Sequence, residues 1–81
     1  MTRKQRQEYE AADAYAELAR DQILMAPEQA VRELRFVYPN LPTKKLLGMA
    51  RLHPEVQEDV AYWTDILKHN RGIQARLRAG R

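Results

Sequence analysis

Neither cysteine nor serine occurs in these 81 residues. The first absence excludes a disulfide framework, a thiolate zinc site and a cysteine nucleophile, and it suits a reducing compartment. The second leaves Thr2, Thr43, Thr64 and the tyrosines as the hydroxyl nucleophiles, and neither His53 nor His69 has one beside it in sequence. That inventory argues against covalent hydrolysis and for a protein that is not an enzyme. Glycine occurs three times, at Gly48, Gly72 and Gly80, too dispersed for a loop that cradles phosphate. No run approaches the roughly 20 apolar residues of a membrane span, and the polar residues 2–8 lead into no signal-peptide core. The expectation is a cytoplasmic protein with no membrane partner and no cofactor.

Bulky apolar residues are also scarce. There is one Trp and one Phe, and Leu, Ile, Val and Phe together make up about 21% of the chain, close to the limit at which chains fail to fold. Eleven of the hydrophobic residues are alanine. A chain this short buries only about 60% of the surface it exposes when unfolded. A thin core is expected, completed by a second copy or a bound partner.

The four prolines, Pro27, Pro39, Pro42 and Pro54, stand where helices should begin or end. The first segment, about residues 3–25, puts Glu10, Asp13, Glu17, Arg20 and Asp21 on a solvated stripe. Ala12, Tyr15, Ala19 and Ile23 face the other way, with Leu18 and Met25 beside them. Its small residues admit a close neighbour, either a symmetry mate or the last helix. A second segment opens at Pro27, carries Ala30, Val31, Leu34, Val37 and Tyr38 on one stripe, and stops before Pro39. The third, about residues 43–52, has Thr43 as its expected N-cap and Leu46, Leu47 and Ala50 on one side. The fourth starts at Pro54 and aligns Val56, Val60, Trp63 and Leu67, with Asn70-Arg71-Gly72 as a stop signal. Ile73 and Leu77 fit a short fifth helix or a continuation of the fourth.

Charge is distributed unevenly. Residues 1–6 carry Arg3, Lys4 and Arg6, and residues 68–81 carry Lys68, Arg71, Arg76, Arg78 and Arg81, with no acid in either stretch. The 61 residues between them are net acidic by five charges, while the whole chain is +3. Phosphate contact is therefore expected at the ends, as salt-sensitive charge neutralisation. Lys44 and Lys45, beside the start of a helix, add an anion-binding candidate. A helix-turn-helix fits only partly, because Glu55, Glu58 and Asp59 occupy the end of the fourth segment that would approach DNA. Those acids, and Asp65 with His69 one turn apart, are read as helix-start and surface charges and not as a metal site. Adjacent Tyr62 and Trp63 cannot share one narrow buried stripe, so one of them is expected at a protein interface.

These features predict an all-α fold: a small four-helix domain over residues 1–70 that self-associates through its first and fourth helices, with residues 71–81 a basic C-terminal helix or arm. The function expected is an accessory or regulatory protein binding nucleic acid through Lys44, Lys45, Arg71, Arg76 and Arg78, with Tyr62 and Trp63 at a protein interface. The alternative is an adaptor or inhibitor, such as a phage- or plasmid-encoded factor, that docks its basic surface on an acidic protein without nucleic acid.

Overall fold

The computed structural model describes residues 1–80, and Arg81 lies outside them. It contains three helices: α1 (Arg3–Val37), α2 (Thr43–Leu52) and α3 (Pro54–Arg78). The all-α expectation holds, and the count of four helices is corrected to three. The first two expected segments are one helix, because α1 passes through Pro27 without ending. A proline inside a helix deletes one hydrogen bond and crowds the carbonyl four residues earlier. Here the helix packs on α3 before Pro27, and after it on the start of α3 and on Leu46 and Ala50 of α2, and tertiary packing overrides the local preference.

Gly72 does not end the fourth expected helix. Asn70, which looked like part of a stop signal, donates its side-chain amide back to the Ile66 carbonyl at 2.8 Å inside the helix. Termination falls at Gly80, where φ of +72° is a left-handed conformation that only glycine adopts cheaply. Residues 71–78 are thus the last turns of α3 and no fifth helix follows.

α1 and α3 run antiparallel along a body of 56 × 16 × 16 Å. Seam residues recur at alternating steps of four and three. In α1 they are Tyr9, Ala12, Ala16, Ala19, Ile23, Ala26 and Ala30, and in α3 Val56, Val60, Trp63, Leu67, Asn70, Gln74 and Leu77, all buried or half-buried. A sustained repeat of 3.5 residues keeps two helices in register by left-handed winding. Alanines on α1 let α3 approach closely and leave room for its larger side chains. Ala16 replaces the expected Tyr15 in this seam, and Tyr15 points outward at 60% exposure.

The ends are set by local chemistry. Thr2 and Gln5 form a reciprocal capping box, the Gln5 N–H donating to the Thr2 hydroxyl at 3.1 Å and the Thr2 N–H to the Gln5 side chain at 2.9 Å. α1 stops at the Tyr38-Pro39 boundary as expected, with the Tyr38 N–H bonded to the Leu34 carbonyl. Pro42, not Thr43, is the N-cap of α2. The Thr43 hydroxyl instead accepts a 2.6 Å hydrogen bond from the Arg35 guanidinium. α2 folds back on the last turns of α1, where Leu46 and Ala50 are fully buried against Val31, with Ala30, Leu34, Leu41 and Leu47 around them. A single residue, His53, separates α2 from α3, and its Nδ1 accepts from the Glu55 N–H at 3.3 Å.

Candidate nucleic-acid interface

The antiparallel arrangement decides where the two basic stretches meet. Gln74 donates to the Tyr9 carbonyl at 3.4 Å, and the Arg78 guanidinium lies over the Tyr9 ring, 5.7 Å from its centroid. The first turns of α1 and the last of α3 therefore share one end of the hairpin. Arg3, Lys4 and Arg6 stand within about 9 Å of Tyr9 along the helix axis. These three, with Arg76 and Arg78, are exposed. Residues 1–7 and 72–81 contain no acid, so the tip of this end is cationic, with exposed Glu8 and Glu10 on either side of Tyr9 as the nearest acids.

Arg71 has a different occupation. Its Nη1 donates to Asp13 Oδ1 at 2.9 Å and to Gln74 Oε1 at 2.7 Å, and its Nη2 donates to Glu17 Oε1 at 3.1 Å. The guanidinium thus ties α3 to α1 below the cationic end. Gln74 is fully buried and completes the cluster by donating to Asp13 at 3.1 Å. A buried polar pair, Asn70 and Gln74, at successive seam positions is the kind of feature that fixes the register of paired helices.

Hydrogen bonds from Gln74 first, then from Arg71, hold the Asp13 carboxyl below the ordinary aspartate range. A carboxyl depressed in the folded state contributes stability above its unfolded value of about 3.9 and loses it as pH falls through the lower folded value. We expect the melting-temperature gap between the natural chain and Asp13→Asn to be widest at neutral pH and to close as pH falls below the ordinary aspartate range. Thermal scans across that range check it; a gap independent of pH contradicts the assignment.

Lys44 and Lys45 are exposed on the first turn of α2, which packs at the opposite end of α1 from the Tyr9–Arg78 contact. The single chain therefore separates the expected phosphate-binding residues: Arg76 and Arg78 at one end, Lys44 and Lys45 at the other, and Arg71 between them in ion pairs. Sequence reading listed Arg3, Lys4 and Arg6 as basic but did not place them beside Arg76 and Arg78. The signal is the antiparallel pairing of two long stripes, which local spacing does not reveal.

Trp63 occupies a seam position and is half-buried, while Tyr62 is 61% exposed. The rings meet edge to face at 79° with centroids 5.1 Å apart. His53 alone between α2 and α3 replaces the three- or four-residue turn of a helix-turn-helix. Asp65 and His69 form no ion pair; among the described residues the ion pairs are those of Arg71 with Asp13 and Glu17. Among the described residues no helix is long and apolar enough to cross a membrane.

Fold and site together describe an antiparallel helical hairpin, capped by a short helix at one end and cationic at the other. Comparison of the chain with protein-family models, curated proteins and solved structures gave no match.

Proposed function

We propose that this is a non-enzymatic accessory protein that binds the phosphate backbone of nucleic acid with the cationic end of the hairpin and self-associates along its length. The observation that carries the reading is the convergence of Arg3, Lys4 and Arg6 with Arg76 and Arg78, anchored by the Tyr9–Arg78 contact. Five exposed cations on one narrow end, against the two acids Glu8 and Glu10, leave a net positive surface suited to charge neutralisation without base readout. The one aromatic side chain among them, Tyr9, is half-buried with Arg78 over its ring, so stacking on single-stranded bases is not part of the proposal.

The test is fluorescence anisotropy with labelled duplex DNA and RNA. Replacing Arg3, Lys4, Arg6, Arg76 and Arg78 by Gln is expected to weaken binding at least about 100-fold at low salt. Lys44→Gln with Lys45→Gln is expected to have a smaller effect. Undiminished binding by the five-Gln variant overturns the assigned surface. The adaptor reading keeps one observation of its own: Phe36, 90% exposed, borders a shallow groove with Arg32 and Arg35, an aromatic-arginine combination that protein interfaces favour. If natural protein binds neither nucleic acid at low salt, that reading takes precedence.

A further inference from the structure

We infer that the self-association proposed above is an antiparallel four-helix bundle, built by a second copy packing on one specific flank of the hairpin. The inference rests on that reading and adds the face, the register and the symmetry.

Each seam residue has a predecessor in sequence that lies on one flank of its helix and a successor that lies on the other. In an antiparallel pair the two predecessor flanks adjoin, and so do the two successor flanks. The successor flank is crossed at one level by the ion pair of Asp13 and Arg71, which follow Ala12 and Asn70, and is overhung at its far end by Leu47 and Arg51 of α2, where exposed Leu24 borders a groove with Pro27 and Ala61. The predecessor flank is bare. It carries Tyr15, Leu18 and Met25 of α1, all exposed, beside exposed Tyr62 and half-buried Ile66 and Ile73 of α3. Gln29 and Asp59, both predecessor residues, line one common groove, which confirms that these flanks adjoin.

Two observations select a second copy as the occupant. The first is area. A compact monomer of this mass exposes about 5,000 Å², whereas this chain exposes 6450 Å². The excess of about 1,400 Å² per chain exceeds the roughly 800 Å² that each partner buries in a standard interface. The radius of gyration of 17.2 Å tells the same story: a compact domain of this length has about 12 Å.

The second is self-complementarity. The cross-seam bonds of Arg71 to Asp13 and Glu17, and of Gln74 to Tyr9 and Asp13, set Leu18 level with Leu67. A two-fold axis crossing the hairpin at that level lays α1 antiparallel on its copy, and α3 likewise. Leu18 then meets Leu18 of the second copy, small Ala11 meets large Met25, and Ile73 meets Tyr62. Arg76 of each chain falls beside Asp59 of the other, so the charges that bound the apolar patch pair across the axis. Lys4 and Arg32 meet outside the patch, at a rim where water and salt screen them. The same operation brings Lys44 and Lys45 of one chain, together with Glu55, Glu58 and Asp59 at the start of its α3, to the end of the bundle that carries Arg76 and Arg78 of the other.

Sedimentation equilibrium of the full chain tests the bundle. The natural protein is expected at twice its 9.5 kDa mass. Leu18→Glu sets two carboxylates against each other on the axis and is expected to raise the dimer dissociation constant about 100-fold or more, with helical circular dichroism retained because Leu18 is exposed in the single chain. With no cysteine in the natural chain, Leu18→Cys is expected to oxidise to a covalent dimer, and Phe36→Cys, far from the axis, is not. Arg76→Glu and Asp59→Arg are each expected to weaken the dimer, and together to restore it. A monomeric natural protein overturns the self-association reading itself. A dimer that tolerates Leu18→Glu, or in which Leu18→Cys fails to crosslink, overturns this face while self-association stands. A charge swap without restoration overturns the register.

Discussion

Leu46→Ala is expected to lower stability by about 3 kcal/mol, within the range for truncating a fully buried leucine. Leu46 is the largest apolar side chain with no solvent exposure, and it joins α2 to Val31 and Leu34 of α1. Few other residues hold the ten-residue α2 in place, and a helix of that length is marginal without packing. The loss should therefore concentrate on α2. Hydrogen exchange is expected to show its amides opening readily while those of the α1–α3 seam stay protected. Leu52→Ala is the control, since Leu52 is 75% exposed. A Leu46→Ala protein with unchanged exchange in α2 would contradict the assignment of Leu46 as its anchor.

Pro27→Ala is expected to act in the opposite direction, with a gain of about 2 kcal/mol. Proline in a helix interior costs about 3 kcal/mol relative to alanine. That figure already includes proline's restriction of the unfolded chain, and loss of the Pro27 ring from its groove with Leu47 and Val56 offsets about 1 kcal/mol of it. The substitution restores the N–H that the Ile23 carbonyl lacks as a partner. For a domain of this size the melting temperature should rise by about 10 °C. Urea or thermal unfolding measures it. A neutral or destabilising Pro27→Ala would mean that proline geometry is needed where Pro27, Leu47 and Val56 line a common groove of about 590 Å³.

Pro27 also shows where sequence reading stops. As a local signal it marks a helix start, and Glu28 strengthens that signal. What overrides it is α3, a partner more than 25 residues away in sequence. The stripe Val56, Val60, Trp63 and Leu67 was legible because its residues are apolar, and so was the alanine face of α1, covered here by the last helix. Its extension through Asn70 and Gln74 was not legible, because polar residues in a seam look like surface until their partners are known. Gln74 is buried because Tyr9, Asp13 and Arg71 supply its hydrogen bonds.

The candidate site divides in the same way. That both ends are basic is legible in the sequence, and adjacent Tyr62 and Trp63 differ in exposure as neighbouring positions on a helix must. That the basic ends coincide in space depends on the antiparallel hairpin, and that Arg71 is engaged by Asp13 and Glu17 depends on a contact spanning more than 50 residues. The Thr2–Gln5 capping box was legible in principle, as Thr-x-x-Gln ahead of a helical stripe.

In the proposed function one end of the hairpin neutralises phosphate. The most direct measurement is the salt dependence of duplex binding, from 50 to about 200 mM monovalent salt, since each phosphate neutralised contributes about −0.9 to the slope of log K against log salt. With Arg3, Lys4, Arg6 and Arg78 acting together, and Arg76 paired with Asp59 of the second copy in the proposed bundle, a slope of about −3.6 is expected for each bound end, collapsing towards zero in the five-Gln variant. A slope near zero in the natural protein, or one the variant retains, would contradict it.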